Sequence, residues 1–413
     1  MSTAAALAPT TVRSVRVEPG DDLLRRLPVP DDVLAWVRDG SGLVGWGQAA
    51  RLEVTGPDRF ARARYWWRRF VSEHPVDDEV GLPGSGPVAF GSFAFDHASP
   101  TASVLVVPRV VLGRRDGATW LTTMGPAPRP SRPQPPERPE RLRYSGGSDS
   151  VTDFRNAVAK AVRRIRRRDL AKVVLAYDLV AAADEAIDPR YLLLGLAERY
   201  PDCWTFAVDG LVGATPELLV SRTGDRVCAR VLAGSAARGA DPQDDRRQAD
   251  ALLASRKDRE EHRYAVESIV DSLAPHCTDL RVPETPYVLE LSNLAHLASD
   301  ISARLADVSC ALDLACAVHP TAAVGGTPTD AAVDLLRELE RMDRGRYAGP
   351  VGWVDARGDG EWGIALRCAQ LDGSTARLFA GCGIVADSDP DAEVAEAQAK
   401  FVPVRDALEG VGS

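Results

Sequence analysis

Residues 380–400 read AGCGIVADSDPDAEVAEAQAK. The run from about Thr375 to Ile384 predicts a β-strand, and its paired glycines allow the backbone to approach a ligand closely. Asp389 stands directly before Pro390, where its side chain can cap a helix that continues to about Leu408. The stretch therefore predicts a strand that passes through a glycine-containing turn into a helix.

This closing helix carries Glu393, Glu396 and Lys400. Spacings of three and four residues place all three side chains on one face of the helix. Alone, such a stripe of charges is more often a solvated surface than a site. The glycine turn directly before it makes a ligand site a serious alternative.

The rest of the chain alternates strand and helix patterns without strict βαβ regularity, which favours a mixed α+β architecture over a doubly wound sheet. An aromatic helix is predicted over Arg59–Val71, another helix over Val151–Asp169, and a long one over about Asp244–Leu273. The predicted strands are Ala102–Leu112, Thr119–Thr123, Lys172–Val180, Trp204–Val208, Glu217–Ser221, Val227–Leu232, Ala348–Asp355 and Glu361–Leu371.

A proline-rich segment, residues 126–145, divides the chain. Proline at this density removes backbone donors and fixes φ, so the segment is predicted to be an extended connector. It separates an N-terminal part, residues 1–125, from a core that spans residues 146–413.

Composition limits the possible functions. The chain has 413 residues, of which 45% are hydrophobic and 26% charged, so it can bury a sizeable core and is not predicted to be disordered. Its net charge of −9 argues against nucleic acid as the main partner. The start has no secretory signal pattern and no apolar run is long enough to span a bilayer, which predicts a soluble cytoplasmic protein. Seven cysteines without a C-x-x-C pair predict reduced thiols rather than disulfides or a zinc site.

Four other residues could carry chemistry. Asp258 and Glu261 lie three apart on the predicted long helix, and carboxylates from two facing helices could bind Mg²⁺. Lys172 opens an apolar strand and could act as a base if buried, although a lysine at a strand end usually reaches water. Glu217 heads another apolar strand and could act as an acid if buried, although a glutamate there usually faces solvent.

Taken together and in order, these segments resemble the chorismate-utilising enzymes, which include isochorismate, salicylate, anthranilate and aminodeoxychorismate synthases. The resemblance covers about residues 150–405, and residues 1–125 match only loosely. The matching segments are KVVLA at 172–176, GATPELL at 213–219, LAGS at 232–235, KDREEH at 257–262, HL at 296–297, HPT at 319–321, YAGPVG at 347–352, IALRC at 364–368, and 381–400.

The resemblance implies one large α+β domain with two stacked antiparallel sheets, helices outside, and a Mg²⁺-dependent site in a cleft. It implies two direct Mg²⁺ ligands, Glu261 and Glu396, and two that help through water, Asp258 and Glu393. It implies a substrate-binding set that comprises Ser235, His296, Tyr347, Arg367, Gly381 and Lys400.

The resemblance also implies the reaction. In the members that use water, a base at the position of Lys172 deprotonates water for attack at C2 of chorismate, and an acid at the position of Glu217 protonates the departing C4 hydroxyl. The lysine that is typical of aminodeoxychorismate synthases is absent from 231–235, and HPTAAV at 319–324 is more similar to the isochorismate synthase pattern. Isochorismate synthase, an isomerase, is therefore the expected activity.

Two alternatives stay open at this point. A salicylate synthase would share the first step and then eliminate pyruvate, and a non-catalytic relative would bind a chorismate-like ligand without turnover. Water as the nucleophile would need no amidotransferase subunit, and a monomer is expected. The product could serve menaquinone or siderophore biosynthesis.

Overall fold

A computed structural model describes residues 10–20, 22–125, 134–239 and 241–410. Within these residues the secondary structure consists of 21 strands and eight α-helices. The α+β class predicted from the sequence is confirmed. The first eight residues of the predicted connector, 126–133, lie outside the described residues.

The strands in chain order are β1 (Val12–Arg16), β2 (Leu34–Arg38), β3 (Ser41–Val54), β4 (Val76–Asp78), β5 (Val88–Ser92), β6 (Ser103–Arg115), β7 (Ala118–Met124), β8 (Arg143–Gly146), β9 (Lys172–Ala182), β10 (Trp204–Val208), β11 (Leu211–Thr215), β12 (Leu218–Thr223), β13 (Arg226–Ala237), β14 (Cys277–Arg281), β15 (Tyr287–Glu290), β16 (Leu294–Leu305), β17 (Gly326–Thr327), β18 (Pro350–Asp355), β19 (Gly360–Ile364), β20 (Cys368–Asp372) and β21 (Thr375–Ile384). The helices are α1 (Arg59–Glu73), α2 (Val151–Arg166), α3 (Pro189–Arg199), α4 (Pro242–Ala254), α5 (Arg256–Leu273), α6 (Ala311–Val318), α7 (Thr329–Leu339) and α8 (Pro390–Glu409).

One hydrogen-bonded sheet connects the strands. A continuous path through it runs β16–β13–β12–β19–β18–β5–β6–β3–β2–β10–β11–β20–β21–β9, and every pairing on this path is antiparallel. The only parallel pairing described joins β1 to β4. The N-terminal strands β2, β3, β5 and β6 therefore lie in the middle of the sheet, between strands from the later part of the chain.

The sheet folds back on itself around the core. Trp36 on β2 donates a hydrogen bond through Nε1 to Glu361 on β19 at 2.9 Å, although β18, β5, β6 and β3 separate these strands in the pairing order. Trp36 also stacks on Trp204 of β10, with ring centroids 6.4 Å apart. On α1, the buried side chains Phe60, Trp67 and Phe70 face the core, as the aromatic period predicted.

Two elements predicted as continuous are interrupted. The helix expected over 244–273 is two helices, because Ser255 ends α4 and its hydroxyl caps α5 by accepting a hydrogen bond from the backbone N–H of Asp258. The strand expected over 361–371 is β19 and β20, and Arg367 between them has a positive φ of 48°. The end of the predicted connector is also ordered, since β8 pairs with β9.

Most helices lie against a sheet face that their apolar side chains cover. In α2, Phe154, Val158 and Ile165 are buried and the arginines of its last turn lie on the other side. No helix in the described residues combines the length and apolarity that crossing a membrane requires.

Candidate active site

A cavity lies where β9 and β21 meet β13, α5 and α8. Nine of the twelve site residues predicted from the sequence line this cavity. They are Glu217, Ser235, Glu261, His296, Tyr347, Arg367, Gly381, Glu396 and Lys400. The other three predicted residues, Lys172, Asp258 and Glu393, lie behind its wall. The sequence therefore identified most of one polar cavity.

Lys172 is completely buried at the start of β9, with 0% of its surface exposed. Its Nζ lies 3.1 Å from Oε1 of Glu261 on α5, in an ion pair whose angle is not that of a hydrogen bond. Nζ of Lys172 has no hydrogen-bond partner in the described part of the chain. The strand-end lysine thus points inward, toward the carboxylates, and not to solvent.

The glycine pair in β21 makes this close approach possible. A Cβ atom on Gly383 would lie only 2.0 Å from Oε1 of Glu261 and 3.1 Å from Cε of Lys172. A Cβ atom on Gly381 would lie 2.8 Å from the carbonyl oxygen of Leu175 and 3.2 Å from the hydroxyl of Tyr347. Any side chain at either position would displace groups of the site.

Glu217 lies in the short turn between β11 and β12, with 4% of its surface exposed. Its Oε1 accepts a hydrogen bond of 3.3 Å from the backbone N–H of Leu232. Burial raises the pKa of Glu217 to about 8, against the opposing effects of that N–H and of the positive charge on Lys172. The carboxyl group is therefore protonated at neutral pH and can donate a proton.

A β-bulge at Gly234 places the side chains of Ser235 and His296 on one wall of the cavity. Gly234 has a φ of 77°, and beyond it Ser235 on β13 pairs in register with His296 on β16. Nε2 of His296 lies 2.9 Å from Nη2 of Arg367, and since the guanidinium can only donate, this nitrogen accepts. The ring proton is then on Nδ1, which lies 3.3 Å from the carbonyl oxygen of Gly234.

Arg367, Tyr347 and Lys400 add cationic and phenolic groups to the cavity lining beside His296. Burial, together with the charge of Arg367, lowers the pKa of His296 to about 3, so the imidazole is neutral. Nε of Arg367 is buried and has no hydrogen-bond partner among the described residues. The ring of Tyr347 stacks on Phe379 at 4.9 Å, and Lys400 Nζ donates to the carbonyl oxygen of Gly381 at 2.8 Å. Such a lining suits a carboxylate ligand.

The carboxylates of Glu393 and Glu396 on α8 have different hydrogen-bond partners. Oε1 of Glu396 is 2.6 Å from both the Ser235 hydroxyl and Lys400 Nζ, and these two partners keep the pKa of Glu396 low although burial opposes its ionisation. Oε1 of Glu393 accepts from Lys257 Nζ at 2.8 Å, while its buried Oε2 has no hydrogen-bond partner in the described chain. Burial and the charge of Glu396 raise the pKa of Glu393.

Asp258 differs from the other predicted ligands. It lies in the first turn of α5, where its carboxylate accepts from the Ser255 hydroxyl and its backbone N–H is capped by the same residue. A Cβ atom on Gly234 would lie 2.9 Å from the Cβ of Asp258, which places this carboxylate directly behind the bulge. Its contacts in the structure are those of a helix cap.

Sequence reasoning missed a buried ion pair next to the cavity. Arg344 lines the cavity and pairs with Glu340 at 2.6 Å, and both side chains are almost fully buried. Arg344 also donates to the carbonyl oxygens of Val174 and Val324, and Glu340 accepts from the backbone N–H of Ala176. Their i, i+4 spacing was visible in the sequence, but the same spacing is common in solvent-exposed pairs.

Comparison with known proteins places this site in a family. A family profile described as chorismate binding enzyme matches residues 36–132 and 127–409, which is most of the chain. The chain belongs to the chorismate-binding enzyme family. The resemblance found in the sequence is thereby confirmed, and it extends into the N-terminal part that had matched only loosely.

Relatives of this chorismate-binding enzyme match over most of their length. MenF of Mycobacterium tuberculosis is 41% identical over 341 residues, covering 79% of this chain and 87% of the relative. Isochorismate synthase MenF of Bacillus subtilis is 32% identical, covering 89% and 85%. The crystal structure of DhbC from Bacillus anthracis superimposes with a TM-score of 0.78 at 31% identity, covering 94% of this chain and 98% of that one.

Proposed function

We propose that this chorismate-binding enzyme is an isochorismate synthase, an isomerase that converts chorismate to isochorismate. The observation that carries the proposal is a cavity in which a buried carboxyl group, protonated at neutral pH, shares its surroundings with a buried lysine and a pair of carboxylates. Relatives that match over 85% of their length or more include isochorismate synthases. The chemistry of the site and the similarity of the whole chain therefore agree.

We assign the acid and base roles to Glu217 and Lys172. A water molecule gives a proton to Nζ of Lys172 as its oxygen bonds to C2 of the ring, and the C4 hydroxyl departs as water with the proton of Glu217 while the double bonds shift. The burial of Glu217 supports its role, because a low-dielectric environment favours the uncharged carboxyl group. The inward position of Lys172, with Nζ beside Glu261, supports its role as the base.

The substrate-binding assignments follow from charge. Tyr347, Arg367, the backbone of Gly381 and Lys400 would bind the enolpyruvyl carboxylate, and the unpaired Nε of Arg367 supplies a donor for it. Ser235 and His296 would complete the pocket. The neutral imidazole accepts from Arg367 and so orients the guanidinium.

The carboxylates fit a Mg²⁺ ion. Oε2 of Glu393 is buried without a hydrogen-bond partner in the described chain, and Glu261 and Glu396 line the cavity. Oxygen donors of this kind suit a hard divalent cation. Glu261 and Glu396 would bind it directly, with Asp258 and Glu393 acting through water, and the ion would hold the ring carboxylate and temper the charge that develops on the ring.

Further parts of the proposal concern the whole protein. The folded-back sheet acts as two stacked antiparallel layers, an arrangement that the contact between β2 and β19 supports. The connector at 126–145 separates two parts of a single domain. We also propose a monomer in the cytoplasm that acts on chorismate without an amidotransferase subunit, and mass measurement in solution tests the assembly.

The test is incubation with chorismate in the presence and absence of Mg²⁺, followed by chromatographic identification of the product. Isochorismate is expected with Mg²⁺, and chelation with EDTA should abolish its formation. Salicylate with released pyruvate as the main product at neutral pH would overturn the assignment in favour of salicylate synthase. No turnover with bound chorismate would indicate a non-catalytic relative.

A further inference from the structure

Cys382 lies next to the two glutamates of α8. A sulfur atom and two carboxylate oxygens, one each from Cys382, Glu393 and Glu396, lie within 4.8 Å of one another, and in the described residues no other group of three or more such side chains is as compact. Cys382 is on β21 and is completely buried. Its thiol donates to the backbone carbonyl oxygen of Glu393 at 3.2 Å, so its side chain points toward the first turns of α8.

The hydrogen bonds of these side chains leave one carboxylate oxygen, Oε2 of Glu393, available to bind a cation. Lys257 occupies Oε1 of Glu393, and both Ser235 and Lys400 occupy Oε1 of Glu396. Oε2 of Glu393 is buried, lacks a hydrogen-bond partner in the described chain, and belongs to a side chain that is only 2% exposed. A buried carboxylate oxygen without a partner is costly, and a bound cation would remove that cost.

The donor set differs from that of a Mg²⁺ site. Mg²⁺ selects oxygen ligands, whereas a thiolate with carboxylates and a water molecule suits Zn²⁺, Co²⁺ or Cd²⁺ in tetrahedral coordination. Donor atoms around such an ion lie roughly 3–4 Å from one another. Small side-chain movements within the observed 4.8 Å would reach that spacing.

We propose that Cys382, Glu393 and Glu396 form a binding site for a thiophilic divalent cation. The thiol releases its proton to solvent as the sulfur–metal bond forms, and water supplies a fourth ligand. The site shares Glu396 and Glu393 with the proposed Mg²⁺ site, so the two ions exclude one another. Binding itself does not depend on the proposed function, but the resulting inhibition of turnover rests on it.

Titration of the full-length, Mg²⁺-free protein with Co²⁺ tests the site. A thiolate-to-cobalt absorption band in the near ultraviolet is expected, with saturation at one equivalent. Cys382→Ala should abolish the band. Cys368→Ala is the matched control, because Cys368 is equally buried on a strand and donates to a backbone carbonyl, yet lies outside the group, and it should retain the band.

A second variant keeps the test decisive if Cys382→Ala does not fold. Glu393→Gln should retain the band but weaken Co²⁺ binding at least about tenfold, since it loses a charged ligand. A parent protein without the band, a band that persists in folded Cys382→Ala, or unchanged Co²⁺ affinity in Glu393→Gln would each overturn the proposal.

Inhibition of turnover by the cation is a separate test, because it depends on the proposed function. Zn²⁺ should inhibit isochorismate formation in the parent in competition with Mg²⁺. A parent that is inert with chorismate but shows the cobalt band would remove the proposed function and leave the metal site standing. An active parent without the cobalt band would overturn the proposed metal site and leave the proposed function standing.

Discussion

Two opposing effects set the pKa of Glu217. Burial favours its protonated form, and nearby positive charges favour the carboxylate. Burial dominates and brings its pKa to about 8. Because the protonated form is the proton donor, activity is present below this pKa and is lost as the pH rises through it. We expect kcat/KM to fall about tenfold per pH unit above pH ~8.

A pH–rate profile measures this effect directly. Since kcat/KM reports groups of the free enzyme, the descending limb is the relevant feature. Glu217→Gln should remove nearly all turnover at every pH while leaving the far-ultraviolet circular dichroism unchanged. A profile that stays flat to pH ~10 would contradict the role of Glu217 as the acid.

Lys172→Met should lower kcat by about 10²- to 10⁴-fold, because the variant has no base for the attacking water. The methionine side chain is of similar length and stays uncharged in the buried position. Steady-state kinetics with chorismate measures the loss, with Lys160→Met on the exposed face of α2 as the control. A folded Lys172→Met protein with parental kcat would exclude this lysine as the base.

The sequence pointed to the proposed acid and base but not to every residue near them. Lys172 and Glu217 stand out as ionisable residues at the ends of apolar strands, so burial was a testable possibility. Arg344 could not be identified, because its role depends on carbonyl groups of Val174 and Val324 that lie far from it in sequence. Likewise, the positive φ of Arg367 is a local backbone strain that no pattern of residue types predicts.

At the scale of elements, β9 is held in position by side chains as well as by strands. It pairs with β21 from Val173 to Ala182, and on its other side with β17 at Lys172 and Val173 and with β8 from Leu179 to Ala182. Between the segments that pair with β17 and β8, Arg344 and Glu340 bind the backbone of Val174 and Ala176. This buried pair therefore supplies partners to the backbone of β9 where neither β17 nor β8 pairs with it.

Arg344→Met should lower the free energy of unfolding by about 3–5 kcal/mol, because it leaves Glu340 buried and unpaired. Urea denaturation measures the change. Arg341→Met is the control, since Arg341 forms exposed ion pairs three residues away and its loss should cost about 0–1 kcal/mol. Equal stability of the two variants would contradict the proposed role of the buried pair.

Element boundaries were predicted best where the periodic pattern of apolar residues was uninterrupted. The helix over residues 390–409 agrees with the expectation because Asp389 caps it and Gly410 ends it in the left-handed conformation. The break at Ser255 was missed because α4 and α5 both have helical periods and no glycine or proline separates them. A serine that caps a second helix is hard to distinguish from a serine within one.

At the scale of the whole molecule, the N-terminal part is integral to the sheet. β2 pairs with β10, and β5 pairs with β18, so removal of residues 1–125 would expose strand edges on both sides. The sequence could not predict this arrangement, because pairing between strands so distant along the chain leaves no local pattern. Only the α+β class followed from the alternation of elements.

We expect a fragment of residues 146–413 to lack a cooperative thermal transition, because its sheet is interrupted in the middle. Differential scanning calorimetry of the fragment and of the full chain measures this. Co-expression with residues 1–145 should restore the transition if the two pieces reassociate. A fragment that melts cooperatively by itself would show that the connector separates independent folding units.

The pairing of β5 with β18 also has a consequence for synthesis. The two strands lie about 260 residues apart in the chain. At roughly 5–20 residues per second on the ribosome, β5 waits about 10 to 50 seconds for its partner to emerge. Throughout that interval the nascent polypeptide carries unsatisfied backbone edges, which makes it a natural client for chaperones that shield them until translation ends.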